Sequence, residues 1–141
     1  MAQGTGVSNV YQNYLLDGLT ITSVNVSGSG ERKTITVCVD FAGLSGLRLR
    51  VDGDRTRREN ARHYRSWGLN RTSRTIESLS ERTSGNTLTV TVVQDMQGQP
   101  TMGLWIYLVL QAGEVGAGTV GMGGSRSWRE AGYVQVVYER R

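Results

Sequence analysis

Apolar residues recur at every second position through much of this chain. Across residues 34–41, Ile35, Val37, Val39 and Phe41 fall on one side and Thr34, Thr36, Cys38 and Asp40 on the other, the period of a strand with one buried face. Leu88, Val90 and Val92 alternate with threonines in the same way across 87–94, and Leu47, Leu49 and Val51 alternate with Arg48, Arg50 and Asp52. Near the start, Leu19 and Ile21 share one phase and Val24 and Val26 the other. The slip at Ser23 predicts a bulge, because a one-residue shift moves every following side chain to the opposite face. Residues 74–79 add a further strand, and 133–139 close the chain with Val134, Val136 and Tyr138 inward.

Two stretches break the alternation. Residues 104–110, LWIYLVL, are apolar throughout, as a strand covered on both faces is, or a buried helix. Their β-branched and aromatic content and the flanking glycines favour the strand. Over residues 55–67 a short helix is predicted, with Asp54 as its cap, Gly68 as its stop and Ala61, Tyr64 and Trp67 as an apolar stripe. Within it Glu59 lies four residues from both Arg55 and His63, a spacing that permits pairing. An extended loop is the alternative.

With turns at Gly28-Ser29-Gly30 and Ser84-Gly85-Asn86, these elements predict an all-β fold. The expectation is one antiparallel sandwich or jelly roll with one short helix near 55–67. The alternative, an α+β ferredoxin-like sheet, requires 55–67 and 101–115 both to be helical. Residues 1–14 are small and polar and read as an N-terminal arm; 15–141 form the single β domain, with a glycine-rich loop over 112–125.

Length and charge sharpen this. At 141 residues the chain suits one domain that removes roughly two thirds of its surface from water. The formal charge is +4, and its distribution is uneven. Between Arg48 and Arg74 nine arginines face Asp52, Asp54 and Glu59, a balance of +6, whereas the remainder carries seven basic and nine acidic residues. Lys33 is the only lysine, and arginine's planar fork of donors suits carboxylates and phosphates. A genome rich in G and C would enrich arginine without any function. The candidate contacts to nucleic acid or to an acidic partner are Arg48, Arg50, Arg55, Arg57, Arg58, Arg62 and Arg65, with Tyr64 and Trp67 interleaved as rings able to stack on bases.

Catalytic chemistry finds little footing. Residues 116–121, GAGTVG, spell a dinucleotide fingerprint, but MGGSRSW follows where a helix should begin. The carboxylates of Asp52-Gly53-Asp54 are followed by arginines, which would repel calcium. His63, the only histidine, has no nucleophile elbow, and one Cys with one His cannot supply zinc's four ligands. Cys38 lacks an internal partner and reads as a packed strand residue. No cofactor, metal site or catalytic residue is expected. The N-terminus shows no secretory signal, and no run approaches a membrane span.

Residues 121–127, GMGGSRS, followed by Gly132-Tyr133-Val134, are similar to the glycine-rich loop and last strand of CRISPR-associated RAMP proteins. That resemblance implies a ferredoxin-like fold holding guide RNA. Trp128-Arg129-Glu130-Ala131 stands where that family has a second compact glycine run. The succession of strand, loop and closing strand from LVLQAGE onward resembles the trimeric jelly rolls of the tumour-necrosis-factor type in architecture alone.

Three functions fit these features. The first is a non-enzymatic structural subunit that forms a homo-oligomer, as in a virus or phage particle, with an exposed arginine-rich face. The second is a nucleic-acid-binding domain that contacts phosphates through residues 48–74. The third is a trimeric carbohydrate-binding module that uses Trp67, Trp105 and Trp128 as platforms.

Overall fold

The computed structural model describes residues 7–13, 15–28, 30–44, 47–66, 75–112 and 128–140, with the backbone alone at 7–13, 64–66, 112 and 128. Among them run eight strands and one helix: β1 (Val7–Asn13), β2 (Thr20–Ser27), β3 (Arg32–Asp40), β4 (Leu47–Val51), α1 (Gly53–Ser66), β5 (Ile76–Ser84), β6 (Thr87–Asp95), β7 (Thr101–Ala112) and β8 (Trp128–Glu139). They form two four-stranded sheets in the orders β1-β8-β7-β4 and β2-β3-β6-β5, antiparallel throughout. The chain is therefore mostly β. Because 101–112 is strand rather than helix, the ferredoxin-like alternative is excluded, and with it the fold implied by the RAMP resemblance.

The period-two pattern sets the core. Ile35, Val37 and Val39 of β3 and Leu88, Val90 and Val92 of β6 are fully buried, as are Leu49, Met102, Leu104, Val134, Val136 and Tyr138 of the other sheet, and both sets belong to one cluster. The phase slip in β2 is a register shift between Ile21 and Ser23. It sets Ile21, Val24 and Val26 opposite Val39, Val37 and Ile35, so a strand whose raw pattern points both ways packs on one side.

The N-terminal arm docks on the last strand. Its residues 7–13 are β1, paired with β8; VSNVYQN shows no alternation because the register comes from its partner. The last strand starts at Trp128, five residues before the predicted one, and takes in a bulge in which Leu108 pairs with Gly132 and Val109 with Glu130. The glycine-rich loop loses Ala112 to β7, and its other residues lie outside those described.

Two polar side chains are built into this core, where an unpaired polar group would cost several kcal/mol, roughly 2–7. Gln94 continues the inward phase of β6 and is fully buried. Its Nε2 donates to Thr75 Oγ1 at 3.2 Å and to the Gly103 carbonyl at 3.3 Å, and its Oε1 accepts from the Tyr138 hydroxyl. Gly103 and Tyr138 belong to the opposite sheet, so one amide bolts the two sheets together. Lys33 shares the phase of Ile35; its stem is buried, and Nζ donates to the Gly28 carbonyl at 3.0 Å. Gly28 has a φ of 109°, and a Cβ there would stand 2.7 Å from the Arg32 carbonyl oxygen, so only glycine fits this turn.

On the surface Arg32 holds Glu77 through two hydrogen bonds of 2.7 and 3.1 Å, and this keeps the Glu77 carboxyl below its ordinary range. A lowered carboxyl stabilises the fold above its unfolded pKa and loses that contribution as pH falls through the folded value. Both partners are solvated, so the effect is small.

Candidate functional site

The arginine-dense segment runs from β4 into α1, and Asp52 makes the junction. Its N–H donates to the Tyr107 carbonyl at 2.8 Å, one rung beyond β4. Its Oδ1 accepts from the Arg55 N–H at 3.1 Å, and its carbonyl accepts the first helical bond, from Thr56 at 2.9 Å. The cap is therefore Asp52, not Asp54, which sits in the first turn, where its charge suits the helix dipole. The last rung to β7 and the helix cap both fall on Asp52, where the alternation ends, so the helix starts at Gly53, two residues before the predicted start.

The face that α1 lays against β7 also differs from expectation. Thr56 and Asn60, one turn apart, are buried, and His63 stacks on Trp105 with ring centroids 4.3 Å apart at 20°. Of the predicted stripe, Ala61 is half-buried, and the side chains of Tyr64 and Trp67 lie outside the described residues. A polar face docks here because it meets a strand edge. β4 covers β7 only from Leu108 to Ala112. Beyond it, the Tyr107 N–H donates to Thr56 Oγ1 at 2.9 Å, the Trp105 N–H donates to Asn60 Oδ1 at 3.1 Å, and Asn60 Nδ2 donates to the Trp105 carbonyl at 2.8 Å. The Asn60 amide thus does for Trp105 what a residue of a neighbouring strand would do. It seals an edge that is otherwise open to strand addition.

The nominated arginines have different fates. Arg50 reaches Glu81 at 3.5 Å and Gln111 at 3.4 Å, while Glu81 also accepts the Val51 N–H at 3.0 Å. Arg55 lies 4.5 Å over the Tyr107 ring and pairs with Glu130. Arg62 pairs with Glu59 at 3.1 Å, and the same carboxylate stands 3.9 Å from His63 Nε2. Arg48 and Arg58 are exposed, and Arg57 is half-buried beside a crevice of about 320 Å³ lined also by Val51, Leu79 and Glu81. Among the described residues Arg48, Arg57 and Arg58 have no carboxylate partner. Arg65 and Tyr64 fall in the last turn of α1, with only their backbone described, and Trp67 lies outside the described residues.

Five residues of this region were not named by sequence reasoning. Glu81 and Glu130 come from β5 and β8 and bring the segment's balance from nine arginines against three acids to nine against five. Tyr107 was visible only as one letter of an apolar run. Thr56 and Asn60 did leave a trace: two mediocre helix formers four residues apart inside a helix ask for partners outside it.

Comparison of the chain with protein-family models, with curated proteins and with solved structures finds no match. Its function is read from its own geometry. Among the described residues no group of three or more His, Cys, Asp and Glu side chains is placed to hold a metal ion, and no helix is long and apolar enough to cross a membrane. Cys38 sits on the outer side of β3, its Sγ 3.6 Å from Thr89 Oγ1.

Burial raises the Tyr107 phenol above its ordinary value; Glu59 and Tyr133 add to the effect, and Arg55 and Arg62 oppose it. The unfolded chain ionises a tyrosine near pH 10, so this stabilising contribution is complete below about that pH and is lost as pH rises through the folded value. Urea titrations at stepped alkaline pH check this: Tyr107→Phe is expected to flatten the alkaline fall in stability. An identical fall in both proteins would contradict the assignment.

Proposed function

We propose that this chain is a non-enzymatic assembly subunit. It joins copies of itself through an arginine-bearing surface, and virus and phage particles are one setting for such a subunit. The observation that carries this reading is the division among the arginines. Arg50, Arg55 and Arg62 are neutralised within the chain, whereas Arg48, Arg57 and Arg58 have no carboxylate among the described residues. A surface evolved chiefly for a phosphate backbone gains from leaving every guanidinium unspent. One that spends half of them on its own acids and keeps three suits a neighbour's carboxylates, at a contact where charges set register more than affinity. We read the two sheets and their one core as an antiparallel sandwich. The hairpins β2–β3, β5–β6 and β7–β8, each within one sheet, favour a sandwich of hairpins over a jelly roll.

Sedimentation velocity with absorbance at 260 and 280 nm tests the proposal. The expected species is a defined oligomer free of nucleic acid, which the charge reversals Arg48→Glu, Arg57→Glu and Arg58→Glu together return to the 15.5 kDa monomer. A chain that stays monomeric at roughly 100 µM, weaker than any micromolar association, would overturn it.

A specific observation favours nucleic acid as the second reading: Arg58 is exposed, and Arg62, whose pairing with Glu59 leaves it 70% exposed, lies one turn away. In that case affinity for single-stranded oligonucleotides should fall about 50-fold between 50 and 200 mM salt if four phosphates are contacted. Of the three platforms of the carbohydrate reading, Trp105 is only 5% exposed and lies beneath His63, while Trp67 and the side chain of Trp128 lie outside the described residues.

A further inference from the structure

We infer that the outer face of β7 and β8 carries a shallow site for a neutral polyhydroxylated ring, such as one sugar residue of a glycan, formed by Tyr133, Arg55 and Glu130. The inference is independent of whether the chain assembles. A hollow of about 200 Å³ lies there, lined by Arg55, Glu130, Gly132 and Tyr133. It exists because of the bulge in β8. Gly132, at a φ of 114°, lets the strand gain a residue opposite Leu108 and Val109, and this brings the Glu130 carboxylate to the Arg55 guanidinium. Gly132 adds no side chain to fill the space.

One aromatic wall and two opposite charges therefore border the same hollow. The Tyr133 ring is half-buried and stands 4.7 Å from the Tyr107 ring, tilted by 33°, and Arg55 lies 4.5 Å over the Tyr107 ring. This combination selects a ligand class. An anion entering the hollow meets Glu130, and a cation meets Arg55, so neither gains without breaking the ion pair. A neutral polyol leaves the pair intact. The guanidinium has five N–H donors and the carboxylate about four acceptor sites, far more than one ion pair uses. Adjacent ring hydroxyls can accept from Arg55 while donating to Glu130, and the C–H face of the ring packs on Tyr133. The volume also limits size, since it falls below the roughly 300–1,000 Å³ of pockets for drug-sized ligands and cofactors. A single ring fits.

The test is an amide-resolved NMR titration of the full chain with the methyl glycosides of glucose, galactose, mannose and N-acetylglucosamine, with glycerol and sodium sulfate as controls. At least one glycoside is expected to shift the Gly132 and Tyr133 amides saturably, with a millimolar Kd of about 1–10 mM, while glycerol and sulfate do not. Tyr133→Ala should weaken binding at least about tenfold, whereas Tyr133→Phe, which keeps the ring, should hold it within about twofold. Glu130→Ala, at an exposed position, should weaken it comparably and gives a second measurement should Tyr133→Ala fail to fold. The inference is overturned if no glycoside saturates by roughly 50 mM, if sulfate competes for the hollow, or if Tyr133→Phe and Glu130→Ala bind as Tyr133→Ala and the unaltered chain do, respectively.

Discussion

Asn60→Leu is expected to destabilise the protein by about 3 kcal/mol, because it leaves the Trp105 N–H and carbonyl without partners in a buried seam, each worth roughly 1–3 kcal/mol. Asn60 is 2% exposed, and its amide also donates to the Thr56 carbonyl at 2.6 Å. The apolar replacement has the same number of side-chain heavy atoms and admits no water, so nothing compensates for the lost bonds. For a domain of this size the melting temperature should fall by roughly 10 °C. Thr56→Val, close in shape, orphans only the Tyr107 N–H and should cost about 1–2 kcal/mol. Hydrogen exchange separates this local account from a general weakening: the Trp105 and Tyr107 amides should lose protection while those of β3 and β6 keep theirs. A stability change below about 0.5 kcal/mol for Asn60→Leu would mean that the helix does not seal the edge of β7.

The second large effect is expected at the amide that bolts the sheets. Gln94→Leu deprives the Tyr138 hydroxyl, the Thr75 hydroxyl and the Gly103 carbonyl of their shared partner and should cost about 3 kcal/mol by the same reasoning. Tyr138→Phe removes one hydroxyl and leaves Gln94 with its bonds to Thr75 and Gly103, so about 1–2 kcal/mol is expected. The pair is more informative than either single change. In the double variant the two orphaned groups are removed together, and the loss should fall short of the sum by about 1 kcal/mol or more. Strict additivity in urea denaturation would show that the two side chains are not coupled, and the network would then have no role in holding the sheets in register.

The strands were largely legible in the sequence. Ile35, Val37 and Val39, or Leu88, Val90 and Val92, announce a buried face through alternation, which is local and needs no knowledge of the partner strand. The bulge at Ile21/Ser23 was legible for the same reason, since a slip of phase cannot be hidden. The run LWIYLVL was legible as a strand covered on both faces, with core beneath and α1 above. The strand β1 was not, because VSNVYQN carries no period and takes its register from β8. Gln94 looked like the polar end of a strand, and only the approach of Tyr138 from the opposite sheet makes it a core residue.

The candidate site divides in the same way. Charge density in the segment was countable, but the use made of each arginine was not. Arg55 finds Glu130 75 residues away, and Asn60 finds Trp105 across 45. Alternation, propensity and charge runs are properties of neighbours along the chain, so they specify the buried face of the strands that alternate and the place of the helix, but not the polar face by which that helix docks. The choice of partners depends on which elements pack together, and that follows from burying the whole apolar surface at once. Folding therefore decided which guanidinium groups are spent on the protein's own carboxylates and which remain for something else.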